Sequence, residues 1–238
     1  MSFLLEGLRQ ALHLLTHDNP YIWHLVWVTM KVAFVSTVAA LVVGLPIGLT
    51  LGLGRFRGRG ILMVLANAGL GLPPVVVGLM LSVLMFPQAP LGRYHLLFTL
   101  HGVYIAQSVL ALPVIVALTA SAVSDLPPGL LAQARAYGAS RLQLAGLALR
   151  EARIGIMAAT IAAIGSALSE VGAVVLVGGN ILGVDQTLAS AALEAVDGGH
   201  FAIGIAIGIL LLGLVLIITA LLTVLQQLGA ARRMGASS

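Results

Sequence analysis

Glu170 is the only acidic residue in the apolar run Ile154–Val177, and Ser166 and Ser169 stand beside it. A carboxylate in hydrocarbon is costly, so it faces protein or water. Two readings follow. Either it sits beside a solute pathway or gate, or it is a static, protonated packing group hydrogen-bonded to neighbouring helices. Gly165 and Gly172 flank it at helical spacing, which suits close helix approach. Lys31, the only lysine, stands near the start of another apolar run. It could attract an anion, pair with Glu170, or snorkel to headgroups. Asn180 closes Gly178-Gly179-Asn180, which reads either as a helix-terminal turn or as free amides able to meet an anion.

Other chemistry finds no residues to carry it. Cys is absent, which excludes disulfides and thiolate sites. His13 and His17 have the i, i+4 spacing of a metal pair but no supporting carboxylate or thiol. They read as interfacial histidines, and no metal site is expected. No nucleophile–base pair appears, so no catalytic residue is assigned. The phosphate loop G-x-x-x-x-G-K-[ST] is missing, so this chain is not expected to hydrolyse ATP.

The elements that must position these groups are membrane helices. The 238 residues are 60% hydrophobic and 8% charged, with a mean hydropathy of +1.09. Soluble domains carry about a quarter charged residues. The chain therefore reads as an all-α integral membrane protein. Residues 1–19 predict an amphipathic helix on the membrane surface, with leucines at helical spacing and polar interruptions that exclude a signal peptide. Five spans follow within residues 20–229, at about 21–54, 61–86, 102–123, 154–177 and 201–228. The long first span should project outward or bend at Pro46, and Gly69–Pro74 should break the second. Residues 230–238 form a tail.

Charge orients the five spans. Arg55, Arg57, Arg59, Arg135, Arg141, Arg150, Arg153, Arg232 and Arg233 all fall on one side, and Asp185, Glu194 and Asp197 on the other. The positive-inside rule puts the N-terminus outside and the C-terminus in the cytoplasm. A net charge of +4 is then no sign of nucleic-acid binding. Trp23, Trp27, Tyr94 and Tyr104 read as belt residues at the outer boundary. Glu170 lies about 24 Å along its helix from the cytoplasmic end. Lys31 falls at a comparable depth, which would let the two pair.

The loop 124–153 carries the remaining information. Ser124-Asp125 can cap a short helix that has Pro127-Pro128 in its first turn. That helix would cover Leu130–Tyr137 and end at Gly138, where positive φ is available. Ala139-Ser140 then opens a second helix. An ordinary amphipathic loop on the lipid surface is the bland alternative.

With these residues in view the chain resembles the membrane permeases of type I, MetI-like, binding-protein-dependent ABC importers. Their coupling loop reads E-A-A, three residues, G, nine residues, then I-x-L-P. Ala132 stands at the acidic position, Gln133 and Ala134 at the alanines, and Gly138 at the turn, followed by Ala139, Ser140 and Arg141. Ala148 and Arg150-Glu151 replace the final I and L-P. Within the family, GLGLPPVVVGLMLSVLM, PLGRYHLLFTLHGVYIAQSVLALPVIVALT and SEVGAVVLVGGNILG are most similar to tungstate permeases.

The resemblance implies a permease fold with a cytoplasmic coupling helix, in a bacterial or archaeal plasma membrane. It implies a homodimer around a two-fold pathway, two ATP-binding subunits, and a periplasmic or lipid-anchored substrate-binding protein. ATP and Mg would belong to the partner ATPase, with no cofactor in this chain. Tungstate is the solute it favours, with molybdate, sulfate or another small solute as the alternative. A motor-independent carrier or a membrane enzyme is a third class.

Overall fold

Alternating apolar runs and glycine- or proline-rich breaks fold into helices throughout the described region of the computed structural model. It describes residues 20–234, together with Arg9. The surface helix expected over 1–19 therefore falls outside the described residues, apart from Arg9.

In chain order the helices are α1 (Pro20–Leu53), α2 (Arg59–Gly69), α3 (Pro74–Met85), α4 (Leu100–Ser124), α5 (Pro128–Ala136), α6 (Arg141–Glu151), α7 (Arg153–Ser169), α8 (Gly172–Gly178), α9 (Leu188–Asp197) and α10 (Phe201–Met234). A single 3-10 turn, Gly92–Tyr94, precedes α4. Among the described residues three helices are long and apolar enough to cross a bilayer unbroken: α1, α4 and α10 over Phe201–Leu228. Two further helix pairs are sharply bent. α2 and α3 meet at 102° across the proline break, and α6 turns into α7 at 68° around Ala152.

The first and third expected spans pack along a glycine stripe. Gly44, Gly48 and Gly52 recur every fourth residue on α1, facing Ile115, Thr119 and Val123 of α4. A Cβ on Gly48 would sit 2.7 Å from Thr119 Cβ, and one on Gly52 would sit 2.6 Å from Val123 Cβ. Water offers no drive to join helices inside a bilayer, so close backbone approach and dispersion must do it. Pro46 lies inside α1, which continues through it as helix to Leu53. The hydroxyl of Thr50 donates to the Pro46 carbonyl at 2.7 Å.

Three expectations need correction. The fourth span is not continuous: α7 ends at Ser169, Glu170 is extended at φ −78° and ψ 130°, and α8 starts at Gly172. Ser124-Asp125 does not cap α5. Ser124 ends α4, Asp125 is that helix's C-terminal cap, and Pro127 precedes α5 without a side-chain cap. Pro128, with no N–H to leave unsatisfied, starts α5. Tyr104 is not a free belt residue, because its hydroxyl is buried without a partner. Trp23, Trp27 and Tyr94 are exposed. α10 runs on to Met234, into the segment expected as a tail.

Candidate functional site: a basic helical hairpin and a broken span

Local chemistry shapes the hairpin α5–Gly138–α6. Gly138 has φ +81°, and its amide donates to Arg135 O at 2.9 Å. The Ala139 amide donates to Ala134 O at 3.0 Å, which closes the end of α5. Ser140 then starts α6 through a capping box. Its hydroxyl accepts from Gln143 N at 3.3 Å, and Gln143 Oε1 accepts from Ser140 N at 2.8 Å. Ala132 and Gln133 are exposed on α5, Ala134 and Ala139 are half-buried, and Arg141 is exposed in the first turn of α6.

The hairpin offers apolar surface while being anchored behind. Tyr137 is 92% exposed and Leu142 84% exposed. On the inner side Ala148 and Ala152 pack with Leu49 of α1 and Val123 of α4, and Leu126, Leu149 and Ile156 lie against them. Displacing α6 must therefore move the ends of α1 and α4. Arg59 braces the same end, its Nε donating to Leu51 O at 2.6 Å and an Nη to Ser124 Oγ at 3.1 Å. Arg55, Arg57, Arg59 and Arg135 line a cavity of about 810 Å³ between the hairpin and the α1–α2 loop.

The break in the fourth span gathers Ser166, Ser169 and Glu170. Glu170 Oε1 accepts the Ala173 amide at 3.2 Å, so the carboxylate satisfies an orphan N–H in the first turn of α8. Ser169 Oγ donates back to Gly165 O at 3.0 Å. Ser166 is exposed, and its hydroxyl bonds to no other described residue. The two broken spans clasp one another beyond their breaks. A Cβ on Gly78 of α3 would lie 2.6 Å from Ala173 Cα, and Ser82 Oγ donates to Leu176 O at 2.8 Å.

Lys31 and Asn180 stand elsewhere. Lys31 is exposed on α1, in line with Trp23, Trp27 and Phe34, and forms no ion pair with Glu170. The expected pairing is thus not made within the chain: Glu170 is turned to its own backbone. Asn180 follows the C-cap Gly179 (φ +91°) and itself has φ +55°. Its Nδ2 donates to Glu194 Oε2 at 2.7 Å. Gln186 Nε2 also donates to Glu194 Oε2, and Tyr21 Oη donates to Gln186 Oε1 at 2.9 Å.

Sequence reasoning missed this end of the molecule. Thr187 and Ser190 cap α9 reciprocally, and Thr29 Oγ1 of α1 accepts the Leu188 amide at 2.9 Å. A capping threonine before LASAALEAV was the available signal. Asp185 is fully buried, with Oδ1 accepting the Ile181 amide at 2.5 Å and Oδ2 unpartnered. Burial pushes its carboxyl above the ordinary value, although hydrogen bonds from the Ile181 and Asp185 amides oppose this. Among the described residues no group of three or more His, Cys, Asp or Glu could hold a metal ion.

Residues 44–228 match the family described as binding-protein-dependent transport system inner membrane component. The chain belongs to this family. Its members are transport permease subunits rather than enzymes, and this chain has their all-α, MetI-like fold. The matched residues take in the α5–α6 hairpin, both breaks and α9. A Haloferax volcanii protein named "Probable anion ABC transporter permease protein" is 41% identical over 83% of this chain and 89% of its own length. The tungstate uptake system permease protein TupB of Peptoclostridium acidaminophilum is 29% identical over 95% of this chain and all of its own. Other relatives are named for molybdenum and sulfate transport. An inward-facing structure of the MetNI methionine ABC transporter aligns with a TM-score of 0.71 at 23% identity. It covers 89% of this chain and 99% of that one.

Proposed function

We propose that this chain is the permease of an oxyanion importer, with tungstate as the transported ion. Two copies enclose a pathway on a two-fold axis. Two ATP-binding subunits, which hold ATP and Mg, sit at the arginine-rich end, and an external binding protein delivers the anion to the opposite end. The N-terminus lies outside and the C-terminus in the cytoplasm. The observation that carries this reading is the hairpin, which presents Tyr137 and Leu142 outward and ties Ala148 and Ala152 to α1 and α4. An apolar knob on a basic surface suits a groove in a soluble motor, and the packing behind it transmits the motor's movement.

We assign the residue roles on this reading. Ala132, Gln133, Ala134, Gly138, Ala139, Ser140 and Arg141 form the ATPase contact. Ser166 has a free hydroxyl that can donate to an oxyanion, beside a helix break that a neighbouring helix or a cavity must cover. With its Oε1 engaged by the Ala173 amide, Glu170 shapes the break. The names of the tungstate and anion relatives support the choice of ion. Molybdate or sulfate is the second reading, supported by the molybdenum and sulfate relatives. Calorimetry of the cognate binding protein with tungstate, molybdate and sulfate tests the choice. Binding of sulfate alone would overturn tungstate as the substrate.

A further inference from the structure

A groove follows α1 from the arginine-rich end into the apolar span. Its mouth is a cavity of about 950 Å³ lined by Arg55, Arg135 and Arg141 together with Leu53, Leu142 and Leu149. Pro46, Leu49 and Leu149 also line a second cavity of about 320 Å³, which continues past Leu45 and Val42 to Val38. From Gly54 to Val38 a helix rises about 24 Å, more than the ~15 Å hydrocarbon half-thickness of a bilayer. Arg55, Arg135 and Arg141 are all exposed, and none of their guanidinium groups bonds to another described residue.

We propose that this groove binds an anionic phospholipid of the cytoplasmic leaflet, with its phosphate among the three arginines and an acyl chain along α1. The proposal rests on the orientation given above. Charge and shape together select an amphiphile. A free oxyanion would satisfy the guanidinium groups and leave the apolar limb empty. A zwitterionic lipid would fill that limb but bring its own cation against three others. Val42 is 70% exposed beside the limb, so the groove opens to the bilayer. Arg55 belongs to the α1–α2 loop, Arg135 to α5 and Arg141 to α6, so one bound phosphate joins the coupling hairpin to the first span.

The chain has no cysteine, so a fluorophore on Leu45→Cys can report the groove in the complete transporter in phosphatidylcholine bilayers. Brominated phosphatidylglycerol at low mole fraction should quench it more strongly than brominated phosphatidylcholine. Arg55→Gln should lower that preference about fivefold. Arg57→Gln removes the same charge outside the groove and should preserve it. Leu149→Trp should reduce quenching by filling the apolar limb. Glycerol phosphate and tungstate should not compete. Equal quenching by the two lipids, or equal effects of the two arginine variants, would overturn the site. Relief by glycerol phosphate would assign the arginines to free anions and also overturn it. Impermeant labelling of position 141 from outside the cell would sink the orientation, while leaving the lipid preference as measured.

Discussion

Glu170 Oε1 lies 3.2 Å from the Ala173 amide, so the carboxylate in the fourth span holds the first turn of the helix that follows it. An amide oxygen can accept the same hydrogen bond, and a methyl cannot. Glu170→Gln should therefore keep the stability of the complex, and Glu170→Ala should cost about 1 kcal/mol, the usual loss of a helix cap. Thermal unfolding in detergent separates the two variants. Equal destabilisation by both would show that the charge, not the acceptor, matters.

Gly138 should fail in steps set by backbone conformation. Its φ is +81°, and a Cβ there would meet nothing within 4 Å. The penalty for a side chain is thus conformational and not a clash. Asn enters the left-handed region readily and Val does not. Gly138→Asn should keep most binding-protein-stimulated ATPase activity in the reconstituted complex. Gly138→Val should lose most of it, while the complex still assembles. Normal stimulation in Gly138→Val would remove this turn from the coupling contact.

Asp185 should make stability depend on pH in an unusual direction. Burial raises its folded pKa above the ordinary 3.8. A raised carboxyl means the fold prefers the neutral form. Its contribution is full below the ordinary value and is lost as pH rises through the folded one. Asp185→Asn keeps an acceptor for the Ile181 amide and stays neutral. The variant should melt higher than the wild type at pH 7, and the difference should shrink towards pH 4. A difference that grows on acidification would reverse the sign and the account.

Orientation has a direct test because the chain lacks cysteine. Asp185 is a poor reporter of the outer face, since it is fully buried, whereas Leu182 is 68% exposed. An impermeant maleimide on whole cells should label Leu182→Cys. Arg57→Cys and Arg141→Cys should react only after permeabilisation. Labelling at 141 in intact cells would invert the topology.

The parts of the fold legible in the sequence were those written in long patterns. Apolar runs placed α1, α4 and α10 to within a residue or two at their starts, and Gly69–Pro74 announced the break between α2 and α3. Gly138 and Ser140 carried the hairpin because positive φ and helix capping are local requirements. The break at Glu170 was hidden. Val171 and Gly172 do not forbid helix, and only the clasp of α8 against α3 explains an extended residue there. The Lys31–Glu170 pairing failed for a related reason: equal depth does not say which faces meet. The spacing of Gly44, Gly48 and Gly52 is visible in the sequence, but its partner α4 is fixed only by the packed structure. Charge placed Asp185 only on the outer side, and its burial depends on the end of α8, where Gly178 leaves room for its carboxylate.

Uptake by the reconstituted complex tests the central claim most directly. Proteoliposomes should contain two copies of this chain with its ATPase partner, supplied on the outer face with the cognate binding protein and labelled tungstate. Tungstate should accumulate only when ATP is sealed inside and the binding protein is present, and excess sulfate should not abolish it. Accumulation without ATP, or none under any of these conditions while another solute is carried, would contradict the assignment.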